Sequence, residues 1–176
     1  MRISIIVLLL FFASNLNAQS VAEAYIAKFD SLAVEVLNVY GIPASLVLGL
    51  ALQESAAGTS KICKSKHNHF GLKGRLKSSK TKSGYTTTFL KFETDEECYL
   101  YFGEMISRRK YYAGLKGNMN YLKWLKAMKS AGYATSSSWI SHVDKMIKRY
   151  DLTRFDVPAD ATPVPVLNDT ITSSQE

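Results

Sequence analysis

The acidic residue best placed to do chemistry in this sequence is Glu54. It lies at the end of an apolar segment, residues 46–55, that reads LVLGLALQES. A carboxylate at a helix C-terminus faces the negative end of the helix dipole, and burial among Leu and Ala side chains would also disfavour its charged form. Both effects would raise the pKa of Glu54, which suits a general acid that works near neutral pH. The competing interpretation is a solvated glutamate in the last helical turn, without a chemical role.

A second polar segment, residues 66–74, follows Glu54 and reads KHNHFGLKG. His67 and His69 are separated by one residue, as some metal ligands are, but no carboxylate or cysteine stands at a matching spacing. We therefore expect neither a metal site nor another cofactor. Asn68 fits a turn, and Phe70 fits a hydrophobic core better than a platform for a sugar ring.

Helices must position these side chains, because apolar residues recur at helical spacing through much of the chain. One predicted helix ends at Gly41, and a second begins at Pro43 and runs through Ser55. The second helix is apolar on every side, which predicts that it is buried all round. Glu54 therefore belongs to the last turn of the most apolar helix in the chain.

The rest of the chain predicts one small β element followed by helices. Residues 85–92, YTTTFLKF, are β-branched and aromatic, so we expect a strand that forms half of a small hairpin. A capping box at residues 94–97 opens the next helix, and two further helices contain Trp124 and Trp139. The core face of the capped helix is predicted to be Cys98, Tyr101, Phe102, Met105 and Ile106. The predicted fold class is α+β, mostly helical with one small β-hairpin.

Four motifs, in this order, resemble the glucosaminidase domain of glycoside hydrolase family 73, the bacterial N-acetylglucosaminidases that cleave peptidoglycan. They are Glu54-Ser55, residues 68–73 (NHFGLK), residues 89–92 (FLKF) and residues 133–135 (YAT). The resemblance spans roughly residues 24–155. It implies a lysozyme-like fold, in which the acid closes a long helix and faces a cleft walled by a small β element.

By this resemblance, Glu54 would protonate the glycosidic oxygen of a GlcNAc-β-1,4-MurNAc bond, as in an endo-β-N-acetylglucosaminidase. Tyr133 would be the second catalytic residue and would contact the sugar near the reacting carbon. The residues that would shape the cleft floor and bind substrate are Asn68, Phe70, Gly71 and Lys73.

The sequence departs from the usual glycosidase pattern at the second carboxylate, which most glycosidases use as a base or nucleophile. Residues 81–92 of the predicted hairpin contain no acidic residue. The nearest are Glu93 and Asp95, and Asp95 is expected to serve in the helix cap. Three explanations stay open: assistance by the N-acetyl oxygen of the substrate, an acid from elsewhere in the chain, or a weakened enzyme.

The first 18 residues have the pattern of an export signal. Arg2 precedes an apolar run, residues 3–13, and Ala18 offers a cleavage point. An eleven-residue helix rises about 16 Å, roughly half of the hydrocarbon core of a bilayer. We therefore expect a periplasmic or secreted protein without a stable membrane span; the alternative is a buried N-terminal helix.

The other end of the chain, residues 156–176, holds three of the four prolines and no Lys or Arg. It predicts a flexible acidic tail, which leaves residues 19–155 as the folded domain. In an oxidising compartment Cys63 and Cys98 could form a disulfide or remain two separate thiols, and the sequence leaves both open.

A formal net charge of +7 predicts attraction to polyanions. Residues 61–82 contain eight Lys or Arg and no acidic residue, so they could form a cationic rim for the carboxylates of peptidoglycan. Export makes nucleic acid a poor candidate, and we expect peptidoglycan glycan strands as the partner. The alternatives are a non-catalytic cell-wall glycan-binding protein on the same fold and, less favoured, an exported basic protein that binds nucleic acid or anionic membrane.

Overall fold

The computed structural model describes the backbone of residues 3–77 and 85–157, and the side chains of residues 21–74 and 86–157. The elements in chain order are α1 (Ile3–Tyr40), α2 (Ala44–Ser55), α3 (Lys61–Lys66), β1 (Lys73–Lys77), β2 (Tyr85–Phe89), α4 (Asp95–Ser107), α5 (Tyr121–Ser130), α6 (Trp139–Arg149) and the 3₁₀ helix η1 (Leu152–Phe155). The predicted class, α+β and mostly helical with one small β element, is confirmed.

Helix α2 is the centre of the core, as its apolar sequence predicts. Every residue from 44 to 52 is buried, and the helix packs against α1, α5, α6 and η1. Each of its fully buried Leu side chains contributes about 1.5–3 kcal/mol to the hydrophobic stabilisation. The helix begins at Ala44, one residue later than predicted, with Pro43 as its N-cap, and it ends at Ser55 as predicted.

Helices α2 and α6 run in opposite directions at very close range. A Cβ atom on Gly49 would lie 2.7 Å from Cγ1 of Ile147, so only glycine admits the α6 side chain at this point. Glu54 lies five residues beyond Gly49 and accepts a hydrogen bond from Trp139, the first residue of α6. The close packing in the core therefore brings the end of α2 and the start of α6 together at one surface.

The predicted hairpin is confirmed, with β1 and β2 antiparallel and Lys73 opposite Phe89. The second strand ends at Phe89 and does not continue to Phe92. The chain beyond it pairs instead with the loop before β1, where the N–H of Leu90 donates to Leu72 O and the N–H of Phe92 donates to Lys66 O, both at 2.9 Å. The connection at residues 78–84 lies outside the described residues.

The capping box at the start of α4 forms as predicted, with Thr94 as the N-cap. Its Oγ1 accepts from the N–H of Glu97 at 3.0 Å, and Oε2 of Glu97 accepts from the N–H of Glu93 at 2.7 Å. The expectation that Asp95 serves in this cap is wrong, because its carboxylate faces two histidines of the preceding loop.

The core face of α4 is displaced from its predicted position. Cys98, Phe102 and Ile106 are buried as expected, but Tyr101 is 39% exposed and its neighbour Tyr99 is fully buried. The exchange arises because the Tyr99 hydroxyl has a hydrogen-bond partner inside the core, the hydroxyl of Tyr25 at 3.0 Å.

Helix α1 continues without a break from Ile3 to Tyr40, so its backbone includes most of the predicted export signal. None of the described helices has the length and apolar character needed to cross a membrane. Cleavage after Ala18 and export stay predictions.

The predicted tail begins with a residue that belongs to the domain. Asp156 follows η1 and accepts two hydrogen bonds from Ser45 in the first turn of α2, from the N–H at 2.7 Å and from the hydroxyl at 2.6 Å. Residues 158–176 lie outside the described residues, so their flexibility stays a prediction.

The Ser45–Asp156 contact leads to a prediction about stability. Asp156→Ala should lower the free energy of unfolding by about 1–3 kcal/mol, because it leaves the buried N–H and hydroxyl of Ser45 without an acceptor. Asp160→Ala, the same substitution in the predicted tail, should leave it unchanged. Urea denaturation of both variants measures the difference, and equal stabilities would contradict the anchoring role of Asp156.

Candidate active site

A cleft of about 500 Å³ opens at the C-terminal end of α2. It lies between the hairpin side of the molecule and the start of α6. The residues that line it are Glu54, Phe70, Gly71, Leu72, Lys73, Arg109, Gly132, Tyr133, Ala134, Thr135, Ser136 and Trp139. Five of the six sequence-predicted site residues therefore line a single cleft, and only Asn68 does not.

The end of α2 is fixed by Ser55 and by two left-handed residues. Ser55 is buried, and its Oγ donates to Ala51 O at 2.6 Å and accepts from the N–H of Gly58 at 2.8 Å. Ala56 and Ala57 follow with φ values of 52° and 50°. Left-handed backbone costs a non-glycine residue roughly 1–2 kcal/mol, so the surrounding hydrogen bonds hold the chain in this turn. The turn leads the chain away and leaves Glu54 at the cleft.

Glu54 is exposed to solvent, so the expected burial among Leu and Ala side chains is wrong. The apolar residues of α2 face the other helices, and only the last turn emerges from the core. The N-terminal end of α6 begins at Trp139, whose indole contacts Glu54, so the dipole of α2 is not the only helix dipole near this carboxylate.

The indole of Trp139 binds the Glu54 carboxylate directly. Its Nε1–H donates to Oε1 of Glu54 at 3.0 Å, although the tryptophan is only 5% exposed. The other carboxylate oxygen, Oε2, lies on the side of Gly71, 4.0 Å from where a Cβ atom would stand on that glycine. One oxygen of Glu54 is thus held by the protein, and the other points into the cleft.

Tyr133 contributes a buried hydroxyl with no hydrogen-bond partner among the described residues. Burial, and then the nearby negative charge of Glu54, raise the pKa of Tyr133 far above its usual value. Its ring packs edge-on against Phe102 and beside Trp139, with ring centroids 6.5 and 5.4 Å away. Tyr133 therefore lines the cleft with a protonated hydroxyl that is itself buried and has one hydrogen bond to give.

Asn68 acts from behind the cleft. It is buried, and its amide closes the loop by donating to Leu72 O and Leu90 O and accepting from the N–H of Leu72, each at 2.9 Å. Asn68 is therefore placed to shape the cleft floor without lining it, and its expected role in binding substrate stays a prediction.

The other loop residues differ in how far they reach the cleft. Phe70 is 3% exposed and stacks on Phe102 with centroids 4.1 Å apart, so it is mainly a core residue that contributes one edge to the floor. Gly71 turns the chain with a φ of +62°. Lys73 begins β1 at the rim, with its Nζ 5.0 Å from the centroid of the Phe89 ring.

His67 and His69 bind the same carboxylate oxygen. Oδ1 of Asp95 accepts from Nδ1 of His67 at 2.7 Å and from Nε2 of His69 at 3.0 Å, and Lys28 approaches Oδ2 at 3.6 Å. Desolvation opposes ionisation of Asp95, but the two histidine hydrogen bonds outweigh it and lower its pKa. Within the described part of the chain, no three His, Cys, Asp or Glu side chains are arranged to hold a metal ion.

The same cluster continues into the core through the ring of His69. Since Nε2 donates to Asp95, Nδ1 must accept, and the Tyr25 hydroxyl donates to it at 2.6 Å. Burial lowers the pKa of His69 more than the contact with Asp95 raises it. A chain of hydrogen bonds thus joins Tyr99, Tyr25, His69, Asp95 and His67 behind the cleft loop.

Cys63 and Cys98 are both buried free thiols, so no disulfide is present. They contact opposite parts of His69, with Cys63 Sγ 3.5 Å from the ring and Cys98 Sγ accepting from the backbone N–H at 3.4 Å. Burial raises the pKa of Cys63 to about 11 and that of Cys98 to about 12. Both therefore act as small core residues.

The charges around the cleft are unequal. Among the described lining residues, Glu54 is the one acid, and Lys73 and Arg109 are cations. Glu93 and Asp95, the nearest acids to the hairpin, do not line the cleft. The second carboxylate that the sequence lacks on the hairpin is therefore not supplied by any of these lining residues.

Sequence reasoning missed two residues of this cleft, Trp139 and Arg109. Trp139 was predicted only as a residue of a later helix, although a buried indole N–H usually needs an acceptor, which could have flagged it. Arg109 follows the end of α4 and carries no sequence signal that separates it from other surface arginines.

A protein-family model described as glucosaminidase, mannosyl-glycoprotein endo-beta-N-acetylglucosaminidase, matches residues 30–152. The chain is also 24% identical over 151 residues to the exo-glucosaminidase LytG of Bacillus subtilis. That match covers 76% of this chain and 53% of LytG, so the chain spans about half the length of this curated relative.

Two solved structures show the same fold at low sequence identity. The catalytic domain of the autolysin Auto from Listeria monocytogenes is 20% identical, with a TM-score of 0.62 over 77% of this chain and 88% of that one. The glycoside hydrolase domain of FlgJ from Salmonella typhimurium is 20% identical, with a TM-score of 0.60 over 76% and 90% of the two chains. The expected lysozyme-like fold is confirmed.

The His69 cluster predicts how stability depends on pH. The unfolded chain protonates His69 near its ordinary pKa of about 6.5, whereas the folded state resists protonation, so the free energy of unfolding should fall as pH drops from about 7 to about 5. Asp95, with a lowered pKa, loses its stabilising effect only at more acidic pH. His69→Gln should flatten the slope between pH 7 and 5.

The matched control for this measurement is His142→Gln, which changes an exposed histidine on α6. It should keep the wild-type slope in urea denaturation at each pH. A His69→Gln variant with the same slope as wild type would show that His69 is not the group responsible.

Proposed function

The chain belongs to the glucosaminidase family, and from this premise we propose that it is a peptidoglycan hydrolase that cleaves GlcNAc-β-1,4-MurNAc bonds. The observation that carries the proposal is the position of Glu54, a carboxylate at the end of a buried helix with one oxygen directed into a cleft. The buried, unpaired hydroxyl of Tyr133 supports the same site. The proposed action is endo, within the glycan strand, although LytG is named an exo-glucosaminidase.

In the proposed reaction Glu54 is the general acid. Its proton passes to the glycosidic oxygen as the C1–O bond breaks and the bonding electron pair moves to that oxygen. Positive charge then develops at C1 of the GlcNAc residue. In the proposal Tyr133, which lines the same cleft and whose hydroxyl lacks a hydrogen-bond partner among the described residues, is the residue nearest this carbon.

The proposed route for the second half of the reaction uses the substrate itself. Because Glu54 is the one acid among the described lining residues, the acetamido oxygen of GlcNAc attacks C1 from the face opposite the leaving group. Water then attacks C1 and gives a proton to the Glu54 carboxylate, while the bond between C1 and the acetamido oxygen breaks and the acetamide is restored. Two displacements at C1 would leave the product in the original β configuration.

The two cations, Lys73 and Arg109, favour an acidic glycan. The lactyl-peptide stems of peptidoglycan carry carboxylates, and positive charge at the cleft rim raises the local concentration of such a substrate. The wall lies outside the cytoplasmic membrane, which agrees with the export signal predicted for residues 1–18. The proposed location is the periplasm or the extracellular space.

Glu54→Gln tests the general acid while keeping the side-chain volume and the acceptor for the Trp139 indole. We expect muropeptide release from purified walls to fall by about 10²–10⁴-fold. Thermal stability should change by no more than about 1 kcal/mol, because an exposed charge at a helix terminus contributes only that much. Glu96→Gln, the same change in the first turn of α4, should retain wild-type activity.

Three other outcomes would each change the conclusion. Wild-type release from Glu54→Gln would exclude Glu54 as the acid. Loss of release together with a large loss of stability would make Glu54 structural. Binding of walls by the wild-type protein without any fragment release would favour the alternative, a non-catalytic glycan-binding protein on the same fold.

The substrate-assisted route makes a separate prediction about the products. Nuclear magnetic resonance of the first products should show the β-anomer, and the rate should fall along a series from N-acetyl to N-trifluoroacetyl substrates, because fluorine weakens the attacking oxygen. Inversion to the α-anomer would indicate a base and a water molecule instead. Retention with no dependence on fluorination would indicate a protein carboxylate as nucleophile.

A further inference from the structure

The contact between Trp139 and Glu54 distinguishes the two oxygens of the carboxylate. Oε1 accepts the indole N–H at 3.0 Å from a side chain that is almost fully buried. Oε2 accepts no hydrogen bond from the part of the chain that the structure describes, and it faces the Gly71 side of the cleft. The two oxygens are therefore chemically different before any substrate arrives.

Resting on the proposed function, we propose that Trp139 is a positioning residue that makes Oε2 of Glu54 the atom that delivers the proton. In the protonated acid, the carbonyl oxygen accepts a hydrogen bond and the hydroxyl oxygen donates one. An indole N–H can only donate, so it selects Oε1 as the carbonyl oxygen and leaves the proton on Oε2.

The proton transfer from Glu54 to the substrate involves only these two oxygens and the glycosidic oxygen. The Oε2–H bond breaks as an O–H bond forms on the glycosidic oxygen, which also takes the electron pair of its bond to C1. The carboxylate that remains keeps its hydrogen bond from Trp139 at Oε1. A hydrogen bond to an ionised acceptor is stronger than one to a neutral acceptor, so the indole stabilises Glu54 more after proton transfer than before.

The fold holds the indole in this place firmly. Trp139 is the first residue of α6, and α6 is fixed against α2 by the close contact of Ile147 and Val143 with Gly49. The ring also packs beside Tyr133, with centroids 5.4 Å apart. The donor and the acid thus come from two helices whose relative position is set by the core.

The experiment compares Trp139→Phe with Trp124→Phe. Trp124 is a matched control, because it is buried in α5 and its indole N–H donates to Asn118 O at 2.8 Å, away from the cleft-lining residues. For Trp139→Phe we expect kcat on a soluble GlcNAc-MurNAc oligosaccharide to fall roughly 10- to 100-fold, as small misplacements of a catalytic group do, with KM within about twofold. Trp124→Phe should retain kcat.

A second substrate separates positioning of the acid from general disruption. A dinitrophenyl β-glycoside of a MurNAc-GlcNAc oligosaccharide, with the dinitrophenyl group on GlcNAc, has a leaving group that needs no protonation, so Trp139→Phe should lose little activity on it. Equal losses on both substrates would make Trp139 merely structural and overturn the proposal. So would a Trp139→Phe variant with the kcat of Trp124→Phe on the oligosaccharide.

Nuclear magnetic resonance of the Trp139 indole tests the proposal even if the Trp139→Phe variant fails to fold. The chain has two tryptophans, so the indole N–H resonance that persists in Trp124→Phe belongs to Trp139. It should shift as Glu54 titrates and should lose that shift in Glu54→Gln. A resonance insensitive to Glu54 would overturn the proposal. A wild-type protein without glycan cleavage would contradict the proposed function, whereas an active wild type with an insensitive indole would contradict only the role of Trp139.

Discussion

The burial of α2 on every side is the constraint on which the site depends. The helix packs against α1, α5, α6 and η1, so its axis cannot shift without opening the core. Its final turn is tied by Ser55, and the left-handed pair Ala56 and Ala57 then leads the chain away. Glu54 is consequently fixed at the edge of the core. The packing of α6 against α2 also places Trp139, the first residue of α6, beside it.

Asp95 and Glu54 are two carboxylates near the loop at residues 66–73, and their different surroundings suit them to different roles. Asp95 receives hydrogen bonds from two histidines and lies near Lys28, so it is held ionised and has no proton to give. Glu54 receives one indole N–H and leaves one oxygen open to the cleft. Asp95 therefore anchors the loop that Asn68 closes, and Glu54 is the carboxylate that we propose as the acid.

The residues that the sequence predicted well are those whose pattern is local. The apolar circumference of α2, the capping box at Thr94 and the β-branched run before Phe89 each depend on neighbours in the chain, and all three are confirmed. What failed depends on distant partners. The exposure of Glu54 and the histidine partners of Asp95 arise only when separate elements meet, and no spacing in the sequence encodes such a meeting.

In the proposed reaction, the charges of the cleft affect where positive charge on the sugar can be carried. Lys73 and Arg109 raise the cost of a free cation at C1, and the described lining residues offer no second carboxylate to offset it. After proton transfer the Glu54 carboxylate is the one negative charge nearby, and its Oε1 is already engaged by Trp139. In the proposed route, attack by the acetamido oxygen moves the positive charge from C1 into the oxazolinium ring, where oxygen and nitrogen share it. The Glu54 carboxylate is the one acid among the described lining residues that can offset this charge.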